Sequence, residues 1–470
     1  EICHFRTKEF QKMLKKLFQS KITHKTSLWQ HKKTFLLFSL LGSLQACGGG
    51  GGNSAVTTPT IPKSYEFSLT STLTNKCGEK LPFVDVELFI QNSQWGIVEK
   101  LQPNANGVFS FTSDSELINY TIAAKTQQSG KAEGLELVSF HQVKATTAAV
   151  YQAQHAEIIS NVNCECVTKN VSLQHATITN INQETSSANY SDVTFVDSRN
   201  TVFNDVEVCR ITGSNWPLHS FSIVGKDNNN DVIGSGAFIE EFFGNEIWEV
   251  SAFESSTTEF LTANHQAFFN EQLINGNRHF FTDVKESDAS VQIFSKHDNV
   301  DLFRSEAEYT FEERPNLNEY LRTSSKQIIT SEIYQDSLLV EAEIIVPEAF
   351  KDDKSMNVIA IKSDGSYDFT TLADFPMAII TIDFQSINPT TNTQMLVNWV
   401  TYGPIEGLVP IKVTLPGYES LINDQTHFRI DSEVIQSVSS NTYGDYVSYF
   451  QNHVNTSFDN NLKSYQIIVD

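Results

Sequence analysis

The chain has 470 residues, 40% of them hydrophobic and 11% aromatic, which is ample apolar material for packed cores and too much length for one; roughly two to four domains are expected. It carries 56 acidic against 33 basic residues, and residues 1–46 hold nine of the basic but only two of the acidic ones. Past residue 46 the surface is therefore strongly acidic, which disfavours nucleic acid and anionic lipid as partners.

In chain order, Lys15, Lys16, Lys21, Lys25, Lys32 and Lys33 precede an uncharged apolar run, Thr34 to Leu44. That run is far short of the roughly 20 residues that span a bilayer, and has the length and basic flank of an export signal. Leu44-Gln45-Ala46-Cys47 closes it, and Gly48 to Gly52 followed by a stretch with Pro59 and Pro62 forms a flexible coil. The tetrapeptide resembles the lipobox of bacterial lipoproteins. The resemblance implies an acylated Cys47 held in membrane lipid, with residues 1–46 as leader and signal peptide and 47–62 as tether. Gly48, where an Asp would favour retention in the inner membrane, implies the outer membrane, facing periplasm or cell surface. Glu1 is not an initiating residue, and Met13 is the expected start.

Residues 63–155 read as strands throughout. Val84, Val86, Leu88 and Ile90 alternate with Asp85, Glu87 and Phe89, which gives one apolar face with period two. Asn106-Gly107 between alternating segments predicts a hairpin, because both residues tolerate positive φ. The order Lys80 to Val84, a turn, Gly107-Val-Phe-Ser-Phe111 and a strand with Tyr120 resembles the carboxypeptidase-regulatory-like (prealbumin-type) β-sandwich. That resemblance implies a structural or binding accessory without catalytic residues.

Apart from Cys3 and Cys47, four cysteines remain: Cys77, Cys164, Cys166 and Cys209. In an oxidising compartment an even count predicts two disulfides. Cys164 and Cys166 point to one face of a strand and do not easily pair with each other, so one is expected to bond Cys77 and the other Cys209. A Cys-x-Cys metal site is the sharper alternative, but no His stands near at ligand spacing, and no metal is expected.

Residues 156–255 read as a second β domain in which Phe221 to Gly234 forms a hairpin with a polar tip. Asp227, Asn229 and Asp231 have the spacing of a calcium loop, yet Val232 and Phe238 occupy the slots that need Gly and Glu, so a plain turn is expected. Residues 256–470 continue the β pattern as one or two further domains. Val340, Ala342, Ile344 and Val346 alternate, Ala378 to Phe384 is a buried run, and Asp364-Gly365 marks a hairpin. Helix is expected only over Glu259 to Ile274 and Asp445 to Val454. No internal repeat of fixed period appears.

The fold class is thus mainly β: tandem antiparallel sandwiches, Ig-like or prealbumin-like, behind a lipoprotein signal and a glycine-rich tether. There is no nucleophile elbow, zinc-protease helix, phosphate loop or dinucleotide fingerprint. Nine histidines beyond residue 46, His141, His219, His265, His279 and His427 among them, are scattered and read as surface or hydrogen-bonded core residues. Adjacent carboxylates at Glu240-Glu241, Glu312-Glu313 and Asp352-Asp353 face opposite ways on a strand. Trp95 and Trp216 lie in turn-like contexts that favour exposure and make them ligand-facing candidates. No catalytic residue or cofactor is assigned. The expected role is binding, adhesion or assembly at the cell envelope with a protein or glycan partner; the alternative is a secreted, carbohydrate-active hydrolase with accessory sandwiches.

Overall fold

The computed structural model describes residues 63–469 apart from 129–130, 147–148, 154–162, 243–246, 260–266, 275–276, 286–289, 295–301, 317–318, 332–356, 358, 373, 388–393, 412–413, 420–425, 438–441 and 453–461. Cys47, with the segments expected to be leader and tether, lies outside the described residues, as does the alternating run from Val340 to Val346. No helix among the described residues is long and apolar enough to cross a membrane.

Eight strands make the first sandwich: β1 (Tyr65–Thr74), β2 (Lys80–Pro82), β3 (Val86–Gln91), β4 (Ile97–Leu101), β5 (Val108–Ser113), β6 (Leu117–Gln128), β7 (Lys131–Lys144) and β8 (Ala149–Ala153). β1 shows why: Phe67, Leu69, Ser71 and Leu73 alternate with partly exposed residues, so one face of the strand is buried. One layer contains β1, β2, β5 and β8, and the facing layer contains β4, β3, β6 and β7 in that order. Between them pack Phe67, Leu69, Leu88, Ile90, Tyr120, Ile122 and Phe140. Val84, read as part of the apolar face, is 50% exposed, because the paired strand begins only at Val86.

The Asn-Gly turn forms, but it does not close a hairpin. β4 pairs with β3 while β5 pairs with β1, so the turn carries the chain from one layer to the other. Asn104 Oδ1 accepts from the amides of Asn106 and Val108, and Gly107 takes φ +73°. A Cβ on Gly107 would stand 2.3 Å from the Ser71 carbonyl oxygen, so close backbone approach to β1 demands glycine here. Pairing partners were decided by the two-layer packing, which local turn chemistry does not report.

The second sandwich has β9 (Cys164–Gln174), β10 (Asn180–Ser186), β11 (Asp192–Asp197), β12 (Asn200–Ile211), β13 (His219–Lys226), β14 (Val232–Ile239), β15 (Ile247–Ser251) and β16 (Phe253–Glu254). The sheets β11-β12-β9-β15 and β10-β13-β14-β16 enclose Val171, Leu173, Phe203, Phe221, Ile223 and Trp248. β13 and β14 form the expected hairpin. At its tip Asp227 Oδ1 accepts from the amides of Asn229 and Asp231, which makes a side-chain-capped turn.

The remaining strands are β17 (Ser256–Glu259), β18 (Ala267–Ile274), β19 (Asn277–Lys285), β20 (Ser290–Ile293), β21 (Leu302–Asn316), β22 (Glu319–Ser331), β23 (Ser366–Asp368), β24 (Met377–Ile387), β25 (Gln394–Gly403), β26 (Glu406–Leu408), β27 (Thr426–Ser437) and β28 (Leu462–Val469). The sheet of the first sandwich continues into this region: β25 pairs in parallel with β7, Leu396 opposite Gly134 through Tyr402 opposite Phe140. The result is a twelve-stranded sheet, and the second sandwich is inserted in the chain between two of its adjacent strands. Along β3, β6 and β7 that sheet is buried on both faces. Phe89, Ala123, Leu135 and Leu137 pack with Ile380, Ile382, Phe384 and Trp399 in a second core.

Of three local expectations, two are overturned and one holds. The helix expected over Glu259 to Ile274 is strand where described, since β18 pairs on both edges with β19 and β21, and non-local pairing overrides local preference. The Asp445 helix forms as α1 (Tyr443–Asn452). Asp364-Gly365 ends a helical segment across 359–364 instead of turning a hairpin: Gly365, at φ +86°, donates its amide to the carbonyls of Ala360 and Ile361.

Two disulfides staple the sandwiches, Cys77–Cys164 and Cys166–Cys209. The second joins directly opposed residues of β9 and β12. The first ties the β1–β2 turn to the second sandwich, beside an ion pair of Lys76 and Glu207 at 2.9 Å. The Cys77–Cys164 bond spans 87 residues, so its removal by Cys77→Ser with Cys164→Ser should cost about 4 kcal/mol through restored freedom of the unfolded chain. Urea denaturation checks this, and a loss below about 1 kcal/mol would contradict it.

Candidate functional site

A cleft of about 690 Å³ opens where the ends of β3, β7, β23 and β26 converge with the 359–364 helical segment. β7 delivers His141 to it through a bulge: β6 opposes Phe140 with Tyr120 and Val143 with Ile118, so His141 and Gln142 share the single partner Asn119. Gln142 takes φ +51°, and its amide donates to Asn119 Oδ1 at 2.8 Å. The bulge bends the strand end and re-aims its side chains. Tyr443 of α1 donates its hydroxyl to the His141 carbonyl.

His141 is 4% exposed, and its Nδ1 has no hydrogen-bond partner among the described residues. Tyr367, in β23, is 2% exposed with its hydroxyl likewise unpartnered. β23 sets Tyr367 directly opposite Gly407 of β26, and the missing side chain leaves room for the ring. The Tyr367 hydroxyl and His141 Nδ1 both lie within 3.0 Å of where a Gly407 Cβ would stand, so two unsatisfied polar groups share one small space. Leaving such groups unpaired is costly, and they are commonest where a ligand or water completes the set.

The rim is polar. Asn357 clamps Asp368 at two points, donating to its carbonyl at 2.8 Å and accepting from its amide at 2.7 Å. The Asp368 carboxylate accepts from the amide and hydroxyl of Thr370, and these hydrogen bonds hold it below the usual carboxylate range. Ser93, Gln142 and Glu406 add further polar groups to the lining.

The cysteines read from sequence are brought together in one cluster, and none of them lines this cleft. The two tryptophans are not exposed. Trp95 is 2% exposed: the Asn92 side chain accepts from the amides of Gln94 and Gly96, Trp95 adopts φ +64°, and the indole turns inward. It stacks on His141 at 5.3 Å and donates Nε1 to the Leu408 carbonyl at 3.0 Å, so it backs the cleft. Trp216 is 7% exposed in the second sandwich, with Arg210 at 4.3 Å over its ring and Phe242 against its edge. In both cases a turn context signalled exposure, whereas the large indole area is better buried. His141 itself departs from the expected surface or hydrogen-bonded histidine. Nothing in the surrounding sequence signals the absence of a partner for its Nδ1.

Burial pushes His141 down to about 4, and His219 in the second sandwich also to about 4. An unfolded histidine titrates near 6.5, so the unfolded chain binds more protons between the two values. Above about pH 6.5 neither state is protonated and burial costs nothing on this account. As pH falls from 6.5 towards 4, stability is lost, by roughly 3 kcal/mol per histidine at the limit. Melting temperature against pH should drop through that window, and His141→Phe should flatten the drop. An unchanged slope in the variant would refute the assignment.

Compared with solved structures, the chain is matched to the major pilin subunit of Bacillus cereus, at 10% identity over 59% of this chain and 99% of that one, TM-score 0.12. It is also matched to two B repeat units of the collagen-binding protein of Staphylococcus aureus, at 8% identity over 79% and 92%, TM-score 0.11. Scores of that size establish no common topology with either. No family model and no curated protein matches the sequence.

Proposed function

We propose that the chain is an envelope lipoprotein, held in membrane lipid through an acylated Cys47, whose β-sandwich body works by binding, in adhesion or assembly, and not by catalysis. The observation that carries the non-catalytic part is the state of the cleft floor. A histidine pushed down to about 4 has little basicity at neutral pH, whereas a general base works best with a pKa near the operating pH. His141 and Tyr367 thus offer hydrogen-bonding groups in place of a proton-transfer pair, and Asp368 is engaged by Thr370. Within this reading the first sandwich is the accessory module implied by its resemblance to carboxypeptidase-regulatory-like domains, and Gly48 favours the outer membrane.

The test has two arms. Cells fed labelled palmitate should label wild type and not Cys47→Ser, and the variant should fractionate as soluble; an unlabelled wild type ends the lipoprotein reading. Protease shaving of intact cells, followed by pull-down with the released body, should recover a protein or glycan partner whose retention falls with His141→Gln. Turnover of a polysaccharide by wild type, lost in His141→Gln, would instead establish the hydrolase alternative.

A further inference from the structure

The inter-sandwich staple is tighter than two independent disulfides require. The sulfurs of Cys77, Cys164, Cys166 and Cys209 all lie within 4.8 Å of one another. We propose that, once both disulfides are reduced, these four thiolates form a tetrahedral site for a soft divalent cation such as zinc, so that one joint is held by sulfur–sulfur bonds when oxidised and by metal–sulfur bonds when reduced. A tetrathiolate site with metal–sulfur bonds of about 2.3 Å sets its sulfurs about 3.8 Å apart, so the cluster is already near the required size.

The backbone supports the same geometry. Cys166 and Cys209 oppose each other across β9 and β12 with their Cα atoms 4.1 Å apart, and Cys164 lies two residues from Cys166 on the same face. Cys77 comes from a rigid turn. Asn75 Oδ1 accepts from the amides of Cys77 and Glu79, and Gly78 takes φ +78°. Cys166 is exposed, which gives reductant and cation a way in. An all-sulfur ligand set selects soft cations and disfavours calcium or magnesium.

The chemistry balances. Each disulfide takes two electrons and two protons from an external reductant, either a dithiol that closes to its own disulfide or a phosphine that takes up the oxygen of water. Four thiols result, and the cation displaces their protons as four metal–sulfur bonds form.

Cobalt(II) reports the site directly. The full chain, reduced with a phosphine, freed of metal and kept anaerobic, should take up one equivalent. Sulfur-to-cobalt charge-transfer absorption in the near ultraviolet and tetrahedral ligand-field bands in the visible should appear, and one equivalent of zinc should bleach both. Cys77→Ser and Cys166→Ser should each weaken binding at least about tenfold, and the oxidised chain should give no bands. The proposal is overturned if the reduced chain keeps its β-sheet circular dichroism but shows no charge-transfer band. It is equally overturned if the band survives in a Cys77→Ser, Cys209→Ser double variant, or appears in the oxidised chain. Should reduction unfold the protein, failure of zinc to restore the sheet signal overturns it as well.

Discussion

Gly403→Ala should destabilise the protein by about 3 kcal/mol, at the upper end of the usual cost of inserting one carbon into a packed site. Its Cβ would stand 2.1 Å from the Tyr367 hydroxyl oxygen, a distance that only displacement of the ring or the strand can relieve. The next atom of that ring, Cζ, is at 3.4 Å, an ordinary if close contact. Tyr367→Phe should therefore remove most of the penalty. Alone it should be neutral or slightly stabilising, because the hydroxyl it deletes is buried without a partner among the described residues. The same rescue should work poorly for Gly407→Ala, where Cζ is at 2.9 Å and His141 Nδ1 at 3.0 Å. Thermal melts of the three single and two double variants decide it. Equal rescue at both glycines, or none at either, would mean that the Tyr367 hydroxyl does not set the steric limit.

Trp399→Ala should cost about 4 kcal/mol, within the range for deleting a large buried aromatic side chain. Trp399 is 1% exposed on β25, opposite Leu137 of β7 and Ile382 of β24, where the first sandwich and the C-terminal strands become one sheet. Its Nε1 donates to Ser139 Oγ at 2.8 Å. Ser139 lies 2.8 Å from Thr121 Oγ1, which donates to Gln91 Oε1 at 2.8 Å. This buried polar chain crosses β25, β7, β6 and β3 in turn. Trp399→Phe keeps most of the packing and should lose only about one to two kcal/mol, the value of a buried hydrogen bond and the group it strands. Ser139→Ala should then cost less in the Trp399→Phe background than in wild type, by about 1 kcal/mol. Urea denaturation measures all four states. A Trp399→Ala protein within about 1 kcal/mol of wild type would show that the two regions do not depend on this junction.

Much of the architecture was legible because period-two alternation and turn chemistry are local. The apolar face Val86-Leu88-Ile90, the hairpin around Asp227 to Asp231, the buried run of β24 and the α1 helix could all be read from neighbouring residues. So could the cysteine logic, since two cysteines two apart on a strand share a face and must look elsewhere for partners. What failed did so where the answer depended on residues far away. Asn106-Gly107 turns as its composition dictates, but β5 pairs with β1 and not with β4. Asp364-Gly365 has the composition of a hairpin and serves as a helix end.

The cleft shows the same division. Tyr367, Gly403 and Gly407 carry no motif, and His141 stands among eight other scattered histidines beyond residue 46. They meet because β23 pairs with β26 and because β7 bulges at Gln142. The sequence by itself determined the strand-rich character, the acidic surface, the export and tether expectations and the presence of two disulfides, all of which come from composition and short-range spacing. Only the tertiary structure decided that Cys77 meets Cys164, that β7 pairs with β25, and that an imidazole Nδ1 and a phenol hydroxyl without hydrogen-bond partners among the described residues face one glycine. Those outcomes depend on pairings between residues up to hundreds apart, whose free energy comes from burying shared surface that no local pattern encodes.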